Sequence, residues 1–478
     1  MRKIFTLLFF TTLFFNCSSD DSNDVLTDGD GITDENNALL TISRGSGFIP
    51  FFGAVDIRDF TVEAIVTGDD GTILARSFLE FDSEIKLEAE YDKNKTYDLH
   101  FVERFFDSNK TTPEFSYENV LTYNVITILG ATNRLYAYDG ISYDDSVTIT
   151  RPPEKTGYVK LQFNNIPYNL GLFGYSTNGS SFRGDGSLSS TKDFDINVEP
   201  KSTNTVYSFI GSEDENGGDV RFIKEDLTDG ESLVFDFDEM SITTPIDIDF
   251  SVMNTQNMFV SSKNFYEIFA FDTPSDKKTL LSSSLFKRSN LFSTERTFFP
   301  NDAFQKYSIY SSIFYDEFTV LTKRVYDNIN EIPKKYTHTG LNAKIINNSF
   351  PDIKAEAVGE YDYFIVKSSY NDGENFSSDT KRFAWTIYGD ANSEISIDQK
   401  NLFSNLFQEK DNFEVPMSDL KNNLELSLIS SDVIDNYNDY ISDIINRNIS
   451  IDNGYQNFER WSSRSINSIN IDAINNSQ

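Results

Sequence analysis

Cysteine, histidine and tryptophan are nearly missing from this chain, which has one, two and two of them in 478 residues. A single thiol cannot build a disulfide framework, because that needs pairs. His100 lies in the alternating stretch "YDLHFVERF" and His338 in "KKYTHTG". Neither has a second histidine at metal-helix spacing, so zinc chemistry and a Ser-His-Asp triad are not expected. There is no G-x-S-x-G elbow and no glycine-rich phosphate loop followed by lysine. Positive charge is also in deficit, with 41 Lys and Arg against 75 Asp and Glu and a net charge of −34. That surface repels nucleic-acid phosphates, and no nucleic-acid partner is expected. Past residue 15, no apolar run approaches the ~18 residues of a membrane span.

Aromatic residues are abundant, at 14% with Phe 43 and Tyr 24, and 38% of the chain is hydrophobic. This is enough to build packed cores and excludes disorder as a description of the whole chain. The apolar positions recur with period two. "FTVEAIVTGDDGTILARSFLEF" holds two short runs joined by Gly68-Asp69-Asp70-Gly71, a hairpin signal. "SFLEFDSEIKLEAEYDKNKTYDLHFVE" from Ser77 resembles "SLSSTKDFDINVEPKSTNTVYSFIGSE" from Ser187, each with a tyrosine (Tyr97, Tyr207) opening a strand. A third, weaker copy places Tyr307 in the same role. The expected fold is therefore mainly β, with tandem β-sandwich modules of immunoglobulin-like type. They are expected at 38–150 and 155–250, separated by Arg151-Pro152-Pro153-Glu154-Lys155. A β-rich module at 254–344 and a β-rich C-terminal domain at 345–478 follow. Leu420, Leu424 and Leu428, then Val433, Ile434 and Ile441, predict one or two short helices within 418–445.

At the N-terminus, Arg2 and Lys3 precede an apolar run from Ile4 to Phe15, a charged and then apolar segment of secretory-signal length. The run ends at Cys17, with Leu13 four residues ahead. This resembles a bacterial lipoprotein signal, and Ser18-Ser19-Asp20-Asp21 resembles the export tag of surface lipoproteins of the Bacteroidota. The resemblance covers residues 1–21. It implies a signal peptide over 1–16, a lipidated Cys17, a membrane partner reached through the lipid, and a place on the extracellular side of the outer membrane. Residues 17–37 read as an acidic flexible tether.

Other signals are short. Asp28, Asp30 and Asp34 in "DGDGITDE" have the alternating spacing of a calcium loop, although the distal Glu of an EF-hand is missing. Calcium at these residues is the only cofactor the sequence suggests. Asp145-Ser146-Val147 matches the O-glycosylation acceptor of the Bacteroidota at Ser146. Trp385 alternates with Phe383 and Ile387 and is expected in a core. Trp461 is the better candidate for an exposed platform. The expected function is a non-catalytic binding or scaffold protein for a glycan, peptide or envelope component. The alternative is a carboxylate-dependent glycoside hydrolase, which needs only two acidic residues at a fixed separation.

Overall fold

The computed structural model describes residues 38–44, 59–79, 83–89, 92, 95–111, 116–131, 135–138, 157–177, 181–200, 202–212, 218–254, 264–272, 278–284, 292–315, 317–338, 340–372, 380–392, 394–432, 434, 437, 440–441 and 457–463. Cys17, Ser18, Ser19, Asp20, Asp21, Asp28, Asp30, Asp34 and Ser146 all lie outside these residues, as does the linker at 151–155.

The chain is mainly β, and one strand order recurs four times. The first repeat has β1 (Ala38–Arg44), β2 (Asp59–Thr67), β3 (Ile73–Phe78), β4 (Ser83–Glu88), β5 (Tyr97–Thr111), β6 (Ser116–Ala131) and β7 (Leu135–Tyr138). Its first strand pairs antiparallel with β4 and parallel with β7, while β3, β2, β5 and β6 form a second sheet in that order. The second repeat has β8 (Gly157–Asn164), β9 (Leu170–Ser176), β10 (Ser181–Ser187), β11 (Thr191–Val198), β12 (Asn204–Ser212), β13 (Asp219–Leu227) and β14 (Ser232–Asp236). Its sheets, β11-β8-β14 and β10-β9-β12-β13, reproduce the same order and the same parallel pairing of first and last strands.

The third repeat has β15 (Ser241–Asp249), β16 (Phe265–Phe271), β17 (Thr279–Ser283), β18 (Thr294–Pro300), β19 (Lys306–Phe314) and β20 (Phe318–Tyr326). Here the seventh strand is reduced to a parallel bridge between Asp249 and Lys335. The fourth has β21 (Asn342–Ser349), β22 (Asp352–Val358), β23 (Tyr363–Asn371), β24 (Thr380–Asp390), β25 (Glu394–Asp398), β26 (Glu425–Ser431) and β27 (Phe458–Ser463). In it β22 pairs with β25, and β21 occupies the remaining side of β22, antiparallel to it. This order departs from the immunoglobulin constant arrangement, in which the first and second strands share a sheet. Here the second strand sits between the third and the fifth.

Local chemistry accounts for the repeated elements. The expected hairpin forms between β2 and β3, with Gly71 at φ +71°, a left-handed value that glycine adopts without steric cost. Tyr97, Tyr207 and Tyr307 all stand near the start of the fifth strand of their repeats and are buried. The Tyr97 hydroxyl accepts from the Asp92 amide at 2.7 Å, and the Tyr307 hydroxyl donates to the Pro300 carbonyl at 2.8 Å. All three tyrosines fill a core, and Tyr97 and Tyr307 also pin the loop that enters their strand.

The repeats join edge to edge. Their four-stranded sheets fuse into one 12-stranded sheet in the order third, fourth, first. In the third–fourth seam β20 pairs antiparallel with β27, from Phe318 opposite Ser463 to Lys323 opposite Phe458. In the fourth–first seam β24 runs parallel to β6, from Thr380 opposite Val120 to Tyr388 opposite Ile128. The second repeat meets the third through a short pairing of β13 with β15. Pairing satisfies backbone groups that open sheet edges would otherwise expose. The seams also merge cores. Ile65, Val102, Tyr123 and Val125 of the first repeat pack with Trp385, Phe383 and Leu426 of the fourth. Tyr207, Phe209 and Phe222 of the second pack with Ile268, Phe299 and Ile309 of the third. Residues from Ala38 onward accordingly cluster as one compact unit.

Two expectations are corrected. Residues 425–431 are the strand β26 rather than helix, because Leu424, Leu426 and Leu428 alternate and all three are buried between β23 and β27. Helix does form within the expected span, at α2 (Met417–Asn422) and at Tyr437, Tyr440 and Ile441, and α1 (Lys400–Phe403) precedes α2 in the connection between β25 and β26. Trp461 is 3% exposed, not a surface platform, since its position opposite Val320 directs it into the merged core. Trp385 is fully buried.

Candidate functional site

A groove of about 300 Å³ lies on the outer face of the third repeat's four-stranded sheet. Its lining follows from strand register. Residues directly opposite one another share a face, as do residues two apart on one strand. Glu267 on β16 stands opposite Tyr310 on β19, which stands opposite Lys323 on β20, which stands opposite Phe458 on β27. One step along, Phe269 stands opposite Ser308. Leu321, and Lys278 just before β17, complete the described lining. The inward positions of the same strands, Ile268, Ala270, Tyr307 and Ile309, belong to the core.

The hollow arises from side-chain size. Ser308 is small and sits between larger neighbours, Phe269 on β16 and Val325 on β20. Ser308 is 1% exposed, and its hydroxyl has no hydrogen-bond partner among the described residues. Burying a hydroxyl without a partner costs about 1–3 kcal/mol, so a groove floor of this kind favours a ligand that supplies one. The Lys278 ammonium lies 5.8 Å from the Phe269 ring centroid, within cation–π range. Lys323 is 2% exposed. Burial pushes the Glu267 carboxyl above its usual value, and Lys278 opposes that shift. The groove thus combines aromatic walls, two ammonium groups, one carboxylate and a buried hydroxyl.

A second polar assembly lies at the seam between the first and fourth repeats. Arg104 donates through Nε and Nη2 to both Asp411 oxygens at 2.7 and 2.8 Å, and Tyr123 donates to the same carboxylate. The Trp385 indole donates to Thr127 Oγ1 at 2.7 Å. His100 is held between Thr67 and Thr127, at 2.9 Å through Nε2 and 2.8 Å through Nδ1. With Thr127 accepting from Trp385 and donating to Nδ1, the chain closes with Nε2–H donating to Thr67. Burial lowers the His100 pKa to about 3, so the ring is neutral.

Asp98 lies on the same face of β5 as His100. Its oxygens accept from the Gly130 amide at 3.1 Å and the Gln399 amide at 2.6 Å. Burial raises its pKa to about 7, which those two donors partly offset. Oδ2 bonds across the seam to Gln399 while Oδ1 bonds to Gly130 within the first repeat, so both oxygens are engaged by the fold rather than turned to an open cleft. A wider cavity of about 710 Å³ flanks the hairpin turn of the first repeat. Two of its three described carboxylates are engaged locally, Asp69 by the Thr96 hydroxyl at 2.6 Å and Asp70 by the Thr72 amide at 2.9 Å; the third is Asp92. Thr72, through its amide and its hydroxyl, holds Asp70 below the usual carboxylate range.

No protein-family model matches the chain, and comparison with curated proteins gives no match. Among the described residues, no group of three or more His, Cys, Asp or Glu is placed to hold a metal ion. No described helix is long and apolar enough to cross a membrane. Sequence reasoning did not single out the groove residues. A signal was present in "FYEIFAF" and "KYSIYSSIF", where Phe265, Phe269 and Tyr310 put aromatic rings on the face opposite the core.

Proposed function

We propose that this chain is a lipid-anchored surface protein that binds an extracellular ligand without transforming it, using the groove on the third repeat. The anchor reading rests on Cys17 at the end of the Ile4–Phe15 run and on the Ser-Ser-Asp-Asp tag that follows. These features support a position on the extracellular side of a Bacteroidota-type outer membrane, with 17–37 as the tether. Two acyl chains on the N-terminal cysteine would hold it stably, since one chain binds only reversibly. The observation that carries the binding reading is the buried Ser308 hydroxyl at the floor of an aromatic-walled hollow. Concave sites with apolar walls and a few placed polar groups are where small ligands settle.

The test presents the immobilised full chain and its Tyr310→Ala variant with glycan and peptide libraries. Retained ligand should be recovered unchanged, and Tyr310→Ala should lose it. Turnover without retention would overturn the binding reading.

A further inference from the structure

We infer that the groove recognises a sugar ring carrying an anionic substituent, a carboxylate or a sulfate. This inference rests on the groove being the binding site proposed above and names the chemistry of its ligand.

Volume sets the first constraint. About 300 Å³ is at the small end of ligand sites and admits one ring-sized moiety. The floor supplies the second. β16, β19 and β20 are each paired on both sides, so the groove offers side chains and no free strand edge. An extended peptide that binds by adding a strand has nothing to pair with there. The walls are aromatic faces, Phe269 and Tyr310, and these suit the apolar C–H face of a pyranose. Ser308 Oγ, buried without a partner among the described residues, matches a ring hydroxyl that can donate or accept.

Charge selects among sugars. In a chain of net charge −34, the described lining of the groove gathers two lysines, Lys278 and Lys323, and one carboxylate, Glu267. An ammonium ligand would meet two like charges inside a partly desolvated hollow. A carboxylate or sulfate on the ring meets opposite charge, in a setting where such pairs are stronger than in bulk water. The roles then divide, with Phe269 and Tyr310 stacking, Ser308 reading a hydroxyl, and the lysines reading the anion.

The experiment is a calorimetric titration of the purified full chain with four probes. They are a uronic-acid trisaccharide, its methyl ester, a sulfated trisaccharide and a neutral trisaccharide. The acid or the sulfated probe should bind at least tenfold more tightly than the ester and the neutral probe. The better of the two identifies the anion. Lys278→Gln should cut that preference severalfold, weakening the acid or sulfated probe more than the ester, with Lys323 holding the remainder. Tyr310→Ala should abolish binding of all four, and Ser308→Val, which fills the hollow, should do the same if Tyr310→Ala fails to fold. Lys354→Gln, on an exposed position of β22, should change nothing. Equal binding of acid and ester, or no effect of Lys278→Gln, would overturn the anion assignment. Binding of none of the four, or binding indifferent to the groove variants, would overturn the sugar assignment. A peptide retained in a Tyr310-dependent way would leave the binding reading standing while this inference fell.

Discussion

Asp98 and His100 stand two residues apart on one face of β5, and burial acts on both by suppressing charge. Asp98 has a folded pKa near 7 against an ordinary 3.8, so as pH rises the unfolded chain ionises first. Its contribution to stability is intact below about pH 4 and is lost as pH climbs towards 7. His100 has a folded pKa near 3 against 6.5, so its contribution is intact above 6.5 and is lost as pH falls. Between about pH 4 and 6.5, the folded chain gains one proton at Asp98 and loses one at His100. The two slopes cancel there. Asp98→Asn removes one side of this balance. Its amide can still accept from Gly130, and after a rotation of Gln399 it can donate to Gln399 Oε1, which has no partner among the described residues. Thermal melting should show stabilisation on the order of 1–4 kcal/mol at pH 8 and none at pH 4. Equal melting shifts at both pH values would contradict the assignment.

Among the elements, the connection carrying α1 and α2 acts as a clamp. It leaves β25, crosses the outer face of β5 and β6, and delivers Asp411 to Arg104 and Tyr123. Both side chains of the Arg104–Asp411 pair are 6% exposed. Removing one member of a buried pair leaves the other charge without compensation, at a cost of about 3–5 kcal/mol. Asp411→Ala should lower the melting temperature by that measure, and Arg104→Met combined with Asp411→Leu should cost less than Asp411→Ala alone. A double variant as damaging as the single would show that the loss comes from packing. The sequence hinted at little of this clamp. Its Leu420 was legible as helical and lies buried in α2, but Leu424 and Leu428 followed the strand period and joined the sheet.

Across the whole molecule, the seam between first and fourth repeats ties residues from opposite ends of the chain. A chain lacking 38–150 leaves the β24 edge unpaired and uncovers Trp385 and Phe383. Such a chain should bind a hydrophobic dye and show red-shifted tryptophan emission. An unshifted spectrum with no dye binding would mean the fourth repeat is complete alone. Anchoring is tested separately. Cys17→Ala should move the full chain from the membrane fraction to the soluble one, and protease applied to whole cells should digest the wild-type protein. Retention of the variant in membranes would refute the lipid anchor.

The pattern of residues by itself determined the strand character of the chain, the β2–β3 hairpin and the recurrence of a tyrosine opening a strand. Those features depend on period-two burial and on turn glycines, which act over a few residues. Tertiary structure alone decided which edges meet, that Trp461 is buried, and that Glu267, Tyr310, Lys323 and Phe458 stand in one row. Edge pairing joins residues far apart in sequence, as in Lys323 with Phe458 and Tyr388 with Ile128. No local period records such a meeting, because what selects it is the mutual burial of two surfaces contributed by segments far apart in the chain.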